Sequence, residues 1–504
     1  MIAISVDKMR ELERIAIENL NIPSVLLMEN AAYGFVSALK QEIADLNQKK
    51  VCIVCGKGNN GGDGYAIARL LHLSGAKVTI LPVCDIATLS GDAKTNCEIA
   101  KTMRIPFVTK LSECDIIVDA IFGTGFHGSV SSDIEKIINN INKSNSYVAS
   151  VDIMSGLSAN DGQGSIFVRA DLCISFGYAK YGLFFHPAKG AYKKLITVPI
   201  SIPECNDGCE IITKKTFDEI PKRQPDSHKG TFGKALAFVG SYGMAGAAIL
   251  SGSAILKSGA GMATVATADN LIPSLAHHFP SVMTCPIPTV DGDFSDDAAE
   301  LILKKSQGMD ALLIGCGLGQ SEKTKKTVIS ILKNVKIPTV IDADALNILA
   351  ENIDILKEKC ADFILTPHIL EFSRLSGYEV SEIKKNPYYL AKEFSTKYGV
   401  TLILKDSVTV IADKDGKTAI NVSENSGMAT AGSGDVLAGI ATSLLSQSIA
   451  PFEAAKLAVY IHSSAGRLAV DSLGEYGMTS SDILENVPSA FVEPCDITPF
   501  IKEL

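Results

Sequence analysis

The sequence predicts an α/β protein of two successive domains, each a mostly parallel sheet with helices on both faces. Three observations predict it. Short apolar runs of strand length alternate with helical stretches along the chain. The alternation breaks once, over residues 201–229, where turn-like SIPECNDGCE and the polar, Pro-bearing EIPKRQPDSHKG replace it. After the break, a strand followed by a Gly-rich turn restarts the same pattern. Domains are therefore expected at 1–212 and 220–500.

The amino terminus, MIAISVDKMRELERIAIENL, reads as a short start and an amphipathic helix. Strands follow at 51–56, 77–83, 115–123 and 147–153, with 171–177 and 194–200 extending the sheet. Residues 64–74 and 132–144 are expected helices. In the second domain, KALAFVG at 234–240 is a strand and 246–258 a small-residue helix. MATVAT, ALLIGCG, IPTVIDA, FILTPH and TLILKDS are further strands at helix-spaced intervals. DSVTVIADKDG supplies a strand pair ending in a turn. Two helices, 433–446 and 452–470, close the tail.

Composition narrows the function classes. Hydrophobic residues are 46% and charged residues 20% of 504, a globular balance. Lys and Arg number 47 against 56 Asp and Glu, a formal charge of −9, and no basic run offers a phosphate-backbone surface. Trp is absent and aromatics are 6%, against a base-stacking platform. Nucleic acid is thus not an expected partner. No apolar run reaches the roughly 18 residues of a membrane span, and the start lacks the order of a secretory signal. A cytoplasmic protein without a membrane partner is expected. The 12 Cys are scattered. Cys52 and Cys55 lie three apart on a strand and face opposite sides; Cys205 and Cys209 flank a turn with no second pair. Core thiols in a reducing compartment are the expectation. AAILSGSAILKSGAG at 247–261 suits close packing within the fold or between subunits, which leaves a homo-oligomer open.

GKGNNGGDGY at 56–65 follows the first long strand and holds Gly56, Gly58, Gly61, Gly62 and Gly64. Such a turn brings amides against a ligand, and a helix beginning near Asp63 points its positive end there, which suits a phosphate. A merely tight turn is the plainer reading, and the spacing is not the dinucleotide fingerprint. Asp119 ends one strand before FGTGFHGS, and Asp152 ends the next before IMSGL. Carboxyl ends of neighbouring parallel strands share one crevice. Asn60, Asp119, Asp152 and Ser155 are expected to converge there, offering hard oxygens to an alkali or alkaline-earth cation. Simple helix caps are the alternative for both Asp residues.

NIPSVLLMENAA, GKGNNGGDGYAIAR, VDAIFGTG and VDIMSGL resemble the amino-terminal domain of the NAD(P)H-hydrate (NAD(P)HX) epimerases, over most of residues 1–210. The resemblance implies a Rossmann-like three-layer domain that uses K⁺, with Asn60, Asp119 and Ser155 as cation ligands. It implies substrate contacts from Asn59, Asn60, Gly61, Gly62 and Asp63. Further contacts come from Gly123, Thr124, Gly125 and Phe126, then His127, Gly128 and Ser129. Asp152 is expected to contact the substrate and to be catalytic. The substrates, NADHX and NADPHX, carry a hydroxyl at C6 of the reduced nicotinamide. That hemiaminal carbon epimerises by reversible loss of hydroxide or by ring opening, and Asp152 can position the hydroxyl or shuttle its proton.

In the second domain, NSGMATAGSGDVLAGI puts the small residues Ala431 to Gly434 directly before a helix. Their amides can form an anion hole for a transferring phosphoryl group, and Asp435 can serve as base toward a hydroxyl. A capping Asp after a Gly turn is the plainer reading. The arrangement resembles the ribokinase-like superfamily. More closely, residues 225–495 resemble the NAD(P)H-hydrate dehydratases, through the run at 228–265, CGLG at 316–319, DADALN at 342–347 and GMATAGSGDVLAG at 427–439. This implies that Gly319, His368 and Asp435 contact the hydrate, with Asp435 catalytic. It implies that Lys405, Asp406, Ser407, Val408, Thr409 and Gly434 contact the adenine nucleotide. ADP would be the phosphoryl donor, Mg²⁺ would assist, and AMP and phosphate would result from dehydrating the S hydrate.

Two departures stand out. TPHPGE of the family is Thr366 to Glu371, TPHILE, here; LKG is Lys405 followed by Asp406. An Asp beside nucleotide phosphates is awkward unless it faces a metal or solvent. His368 alone is more often structural, but its place at a strand end with Glu371 a turn away favours a site. Lys229 meets phosphate or is simply solvated. An alternative is a ribokinase-like kinase of a small metabolite, with a non-catalytic nucleotide-binding amino-terminal module. The coupled reading is favoured because a stereospecific dehydratase would strand one epimer.

Overall fold

The computed structural model describes residues 1–504. The chain forms two compact units, residues 1–209 with 499–504, and residues 210–498. The division falls within the 201–229 break, and residues 499–504 belong to the first unit, which takes the last two residues of the expected 220–500 domain. Ile501–Glu503 is a strand that pairs in parallel with Tyr192–Val198, Ile501 opposite Leu195 and Glu503 opposite Thr197. The Lys189 ammonium lies 3.8 Å over the Phe500 ring. Three residues, two of them charged, carry too little periodicity to be read as a strand.

The first unit is built on a seven-stranded sheet. Its order runs Lys77–Pro82, Lys50–Cys55, Ile116–Ala120, Tyr147–Val151, Ala170–Phe176, Tyr192–Val198 and Ile501–Glu503, all parallel. Lys50–Cys55 has its sequence successor on one side and Ile116–Ala120 on the other, so the strand order reverses between these two. In such sheets the crevice at the carboxyl ends there is where ligands bind. Helices Ser24–Glu42 and Asn59–Leu73 pack on the sheet, burying Phe35, Leu39, Tyr65 and Ile67. The helix after the glycine turn begins at Asn59, not near Asp63.

In the second unit, seven parallel strands run Met283–Ile287, Met262–Ala268, Lys234–Phe238, Ala311–Ile314, Thr339–Ile341, Phe363–Leu365 and Thr401–Leu404. Thr409–Ala412 and Thr418–Asn421 continue the sheet antiparallel. The tail carries three helices rather than two: Ser433–Ser446, Pro451–Gly477 and Ser480–Val492. The small-residue helix Ala245–Lys257 packs against Ser433–Ser446. A Cβ on Gly439 would lie 2.5 Å from the Ser251 carbonyl oxygen, so the small side chains serve packing inside the unit. All 12 Cys are free. No helix is long and apolar enough to cross a membrane.

Candidate active sites

The glycines at 56–64 press backbone on backbone. A Cβ on Gly56 would stand 1.9 Å from the Ile121 carbonyl oxygen, one on Gly61 2.0 Å from that of Gly56, and one on Gly64 2.7 Å from the Ala120 Cβ. Only Gly58, just before the helix, has open space around it. Most of this cluster therefore seats the helix against the strand ends, rather than a ligand against the turn. Above it lies a cavity of about 800 Å³, within the range of small-molecule sites. Gly58, Asn59, Asn60 and Asp63 line it from the turn. Gly123, Thr124, Gly125, Phe126, His127 and Ser129 line it from the next loop, and Asp152 from the third. Gly61, Gly62 and Gly128 do not reach it.

Asp152 follows its strand with φ +66°, in the left-handed region that non-glycine residues seldom occupy. Its Oδ1 accepts from Phe176 N at 3.0 Å, from Ser175 Oγ at 3.2 Å and from the Lys180 ammonium. Oδ2 has no partner within the chain. Lys180 is fully buried. Sequence reasoning missed it; its signal was a lone charge inside the apolar run ISFGYAKYGLFF. Asp63 lies in the same cavity, where burial first, then the Asp152 and Glu13 carboxylates, push its carboxyl well above the ordinary range.

Asp119 lies inside its strand rather than at the end, and is fully buried. It accepts from Ser150 Oγ at 3.0 Å, Ser155 N at 2.9 Å, Ser155 Oγ at 2.5 Å and Ile121 N at 3.3 Å. Burial raises its carboxyl pKa, with the Ser155 hydrogen bonds opposing. Ser155 Oγ also accepts from Phe122 N at 2.8 Å, which ties down the loop that lines the cavity. The structure thus joins Asp119 to Ser155, while the Asp152 carboxylate turns to Lys180. Asn60 packs against Gly123, whose added Cβ would sit 3.1 Å from Asn60 Oδ1. Asn60 Nδ2 is buried without a partner.

In the second unit, Ser433–Ser446 starts after Gly432 at φ +86°. A Cβ there would meet Leu250 Cδ1 at 2.5 Å, so glycine is required twice over. Asp435 stands in the first turn. Burial first, then the nearby Asp342 carboxylate, lift its carboxyl to about 6. Ligand atoms of Cys316, Asp342 and Asp435 lie within 4.8 Å of one another. Asp342 accepts from Thr366 Oγ1 at 2.7 Å and from Lys405 Nζ at 3.1 Å. A Cβ on Gly434 would come within 3.2 Å of Lys405 Nζ, so the ammonium sits at the mouth of the helix. Burial pushes the Cys316 thiol well up, helped by both carboxylates. Asp342 and Cys316 carried the motifs DADALN and CGLG, but not as individual site residues.

His368 caps the helix Ile369–Ser376. Its Nδ1 accepts from Leu370 N at 3.1 Å and Glu371 N at 3.3 Å, and Glu371 Oε2 accepts from His368 N at 2.9 Å. This reciprocal cap supplies the turn without Pro or Gly: Ile369 is buried and Leu370 is 55% exposed. Burial lifts Glu371 to about 7. Burial, then Lys405, lower the His368 pKa. Asp406 and Ser407 are exposed at the tip of the 405–409 loop, Val408 is buried, and Thr409 opens the next strand. The Gly319 N–H donates to Asp344 Oδ2 at 2.8 Å. Lys229 is exposed. His462, also missed, is buried with Nε2 3.2 Å from Ser433 Oγ, and burial brings its pKa down to about 4.

Residues 235–489 match the family model for NAD(P)H-hydrate dehydratase, and residues 24–182 that for the YjeF-related protein N-terminus. The bifunctional NAD(P)H-hydrate repair enzyme of Moorella thermoacetica is 35% identical over 97% of this chain and 96% of its own length. That of Escherichia coli K12 is 32% identical over 95% and 92%. A ribokinase-like superfamily protein from Enterococcus faecalis, solved by crystallography, is 26% identical over 57% of this chain and 98% of its own, with TM-score 0.50. The alternative of a lone metabolite kinase with an inert partner module is not favoured. With both halves matched end to end by relatives of the same two-domain design, the chain belongs to the family of bifunctional NAD(P)H-hydrate repair enzymes.

Proposed function

We propose that the two units divide one repair between them. As a member of its family, the chain is a bifunctional NAD(P)H-hydrate epimerase and ADP-dependent dehydratase. The first unit interconverts the R and S hydrates of NADHX and NADPHX at C6. The second unit dehydrates the S hydrate, converting ADP to AMP and phosphate. The observation that carries the assignment of roles is a carboxylate placed for proton transfer in each unit. Asp152 keeps Oδ2 free in the cavity of the first. Asp435 stands at a helix amino terminus beside Lys405 in the second.

In the second unit, Asp435 takes the proton of the C6 hydroxyl as its oxygen attacks the terminal phosphorus of ADP, and AMP departs. A carboxyl near 6 is ionised at neutral pH yet basic enough for this task. The 431–434 amides and the Lys405 ammonium meet the charge that develops on the phosphoryl oxygens. Phosphate then leaves C6 with the C–O electron pair, driven by the ring nitrogen, and loss of a C5 proton restores NAD(P)H. The oxygens of Asp342 and Asp435 suit a Mg²⁺ carried by the nucleotide, which would supply charge neutralisation there. Asp406, facing solvent, leaves the phosphates unopposed.

In the first unit, K⁺ suits a set made only of oxygens: Asn60, Asp119 and Ser155. Asn60 Nδ2 is buried without a partner, and a half-turn of the amide about its Cβ–Cγ bond would put Oδ1 in that position, where it could face a cation. The ion would supply positive charge for the pyrophosphate of the hydrate. The 12 free thiols support a reducing, cytoplasmic setting. The test is to incubate mixed hydrate epimers with ADP, ATP or neither. NADH recovery is read by absorbance and the epimer ratio by chromatography. Recovery with ADP should consume both epimers. Loss of one epimer only would remove the epimerase role, and no recovery with either nucleotide would remove the dehydratase role.

A further inference from the structure

We infer that Lys180 is a positioning residue for epimerisation: its buried ammonium fixes which oxygen of Asp152 meets the C6 hydroxyl and keeps that oxygen ready to accept a proton. The inference rests on the role proposed above for Asp152.

The geometry of the pair is unusual in three respects. Lys180 is 0% exposed, and an ammonium in such a place persists only when paired and hydrogen-bonded. Its donors go to Asp152 Oδ1, to the Phe176 carbonyl at 2.9 Å and to Ser175 Oγ at 3.3 Å. The φ of +66° at Asp152 turns the residue out of the strand direction, and its carboxylate meets the Ser175–Phe176 end of the neighbouring strand. All three donors to the carboxylate then collect on Oδ1. Oδ2 is left as the acceptor for the cavity, where the side chain is 13% exposed.

The surroundings show why a cation is required. Asp63, from the helix Asn59–Leu73, and Glu13, from the helix Val6–Glu18, face the same cavity, with Arg10 at its edge. Cys173 lies beneath, its Sγ 3.7 Å from the Asp152 carbonyl. Burial raises the carboxyl pKa of both Asp63 and Glu13; Asp152 raises each further, while Lys180 opposes the rise in both. Three carboxyl groups around one small space cannot all stay ionised. Lys180 bonds only one of them, Asp152. In the ring-opening route the hydroxyl proton passes to Oδ2 and its bonding pair forms the C6 carbonyl. The C6–N1 pair moves to nitrogen, and the proton follows to N1. Closure on the other face reverses each transfer and gives the other epimer.

The experiment uses the full-length chain and pure hydrate epimers, with interconversion followed by chromatography across the pH range. Lys180→Met should move the acid limb of the rate profile to higher pH by about 1–3 units, the usual worth of an opposite charge at contact. On that limb each unit costs about tenfold in rate. KM should stay near that of the parent while kcat falls. Lys180→Arg should bring the limb back. Lys180→Gln reads the same shift should the Met variant fold poorly, and a thermal unfolding profile of the full-length variant matching that of the parent reports a folded first unit. A limb that stays in place while the rate drops equally at every pH would mean that Lys180 only supports the fold, and would overturn the inference. Asp152→Asn separates the two levels. If it epimerises at the parent rate, the role of Asp152 itself is wrong, and Lys180 has nothing to position.

Discussion

Dehydration should lose half its rate near pH 6 and run at about a tenth of its plateau at pH 5, because one protonation of Asp435 removes the base. The value follows from burial and from Asp342, which lies within 4.8 Å. Asp342→Asn removes that like charge and also frees Lys405 from its 3.1 Å pairing. Both changes draw the Asp435 pKa downward. A like charge lost and a cation released are together worth about 1–2 units in such a site. The acid limb should therefore fall toward the ordinary 3.8 of an Asp. The assay is the initial rate of NADH recovery from pure S hydrate at saturating ADP, as a function of pH. Asp435→Asn should lower the plateau by roughly 10²–10⁴-fold and abolish the limb. Glu371, lifted to about 7, is the competing source of an acid limb. Glu371→Gln should leave the limb near 6. A limb that survives in Asp435→Asn, or one that does not move in Asp342→Asn, refutes the reasoning.

Gly434→Ala should leave the thermal midpoint almost unchanged. It should raise the Kd for ADP by about tenfold, because the new Cβ comes 3.2 Å from Lys405 Nζ and 3.7 Å from Asp342 Oδ2; calorimetric titration reads it directly. His462 has its pKa lowered from 6.5 to about 4, so the stability it contributes is complete above 6.5 and lost as pH falls toward 4. The shift corresponds to about 3 kcal/mol, and thermal unfolding should fall less steeply between these pH values in His462→Gln than in the parent. Asp119→Asn should weaken K⁺ binding and loosen the 121–123 loop while leaving dehydration at the parent rate. Potassium titration followed by epimer interconversion tests it, and unchanged potassium dependence would place the cation elsewhere.

Much of this architecture was legible in strand-length apolar runs such as VCIVCG and FILTPH, because a strand covered on both faces must be apolar throughout. The helix at 433–446 was legible to the residue because Gly432 and Gly434 mark its start. The glycine cluster at 56–64 misled in detail. A sequence shows that backbone must come close to something, but not whether that something is a ligand or the carbonyl of Ile121. Asp435 was legible because it follows small residues at a helix start, and Asp152 because it follows a strand end at a crevice; Lys405 came only through the resemblance. Lys180 and His462 were not, since their partners Asp152 and Ser433 are 28 and 29 positions away. Asp119 was read as a strand end facing a crevice. Its four hydrogen bonds within the chain depend on the register of Ile116–Ala120 against Tyr147–Val151, which no local pattern encodes.

The strand Ile501–Glu503 gives the first unit an unusual history of manufacture. When residue 209 leaves the ribosome, that unit still lacks its outermost strand, and it goes on lacking it until the entire second unit has been translated. During that interval the backbone groups of Leu195 to Thr197 on that side have no ladder to join. Open edges of this kind are templates for other nascent chains. Lys193, 80% exposed and paired with Asp171, and Lys194, paired with Glu42, put charged side chains on that strand. The growing protein thus carries its own deterrent to aggregation until residues 501–503 arrive. A chain cut before residue 501 would hold every residue named in either site, yet leave this edge open for good.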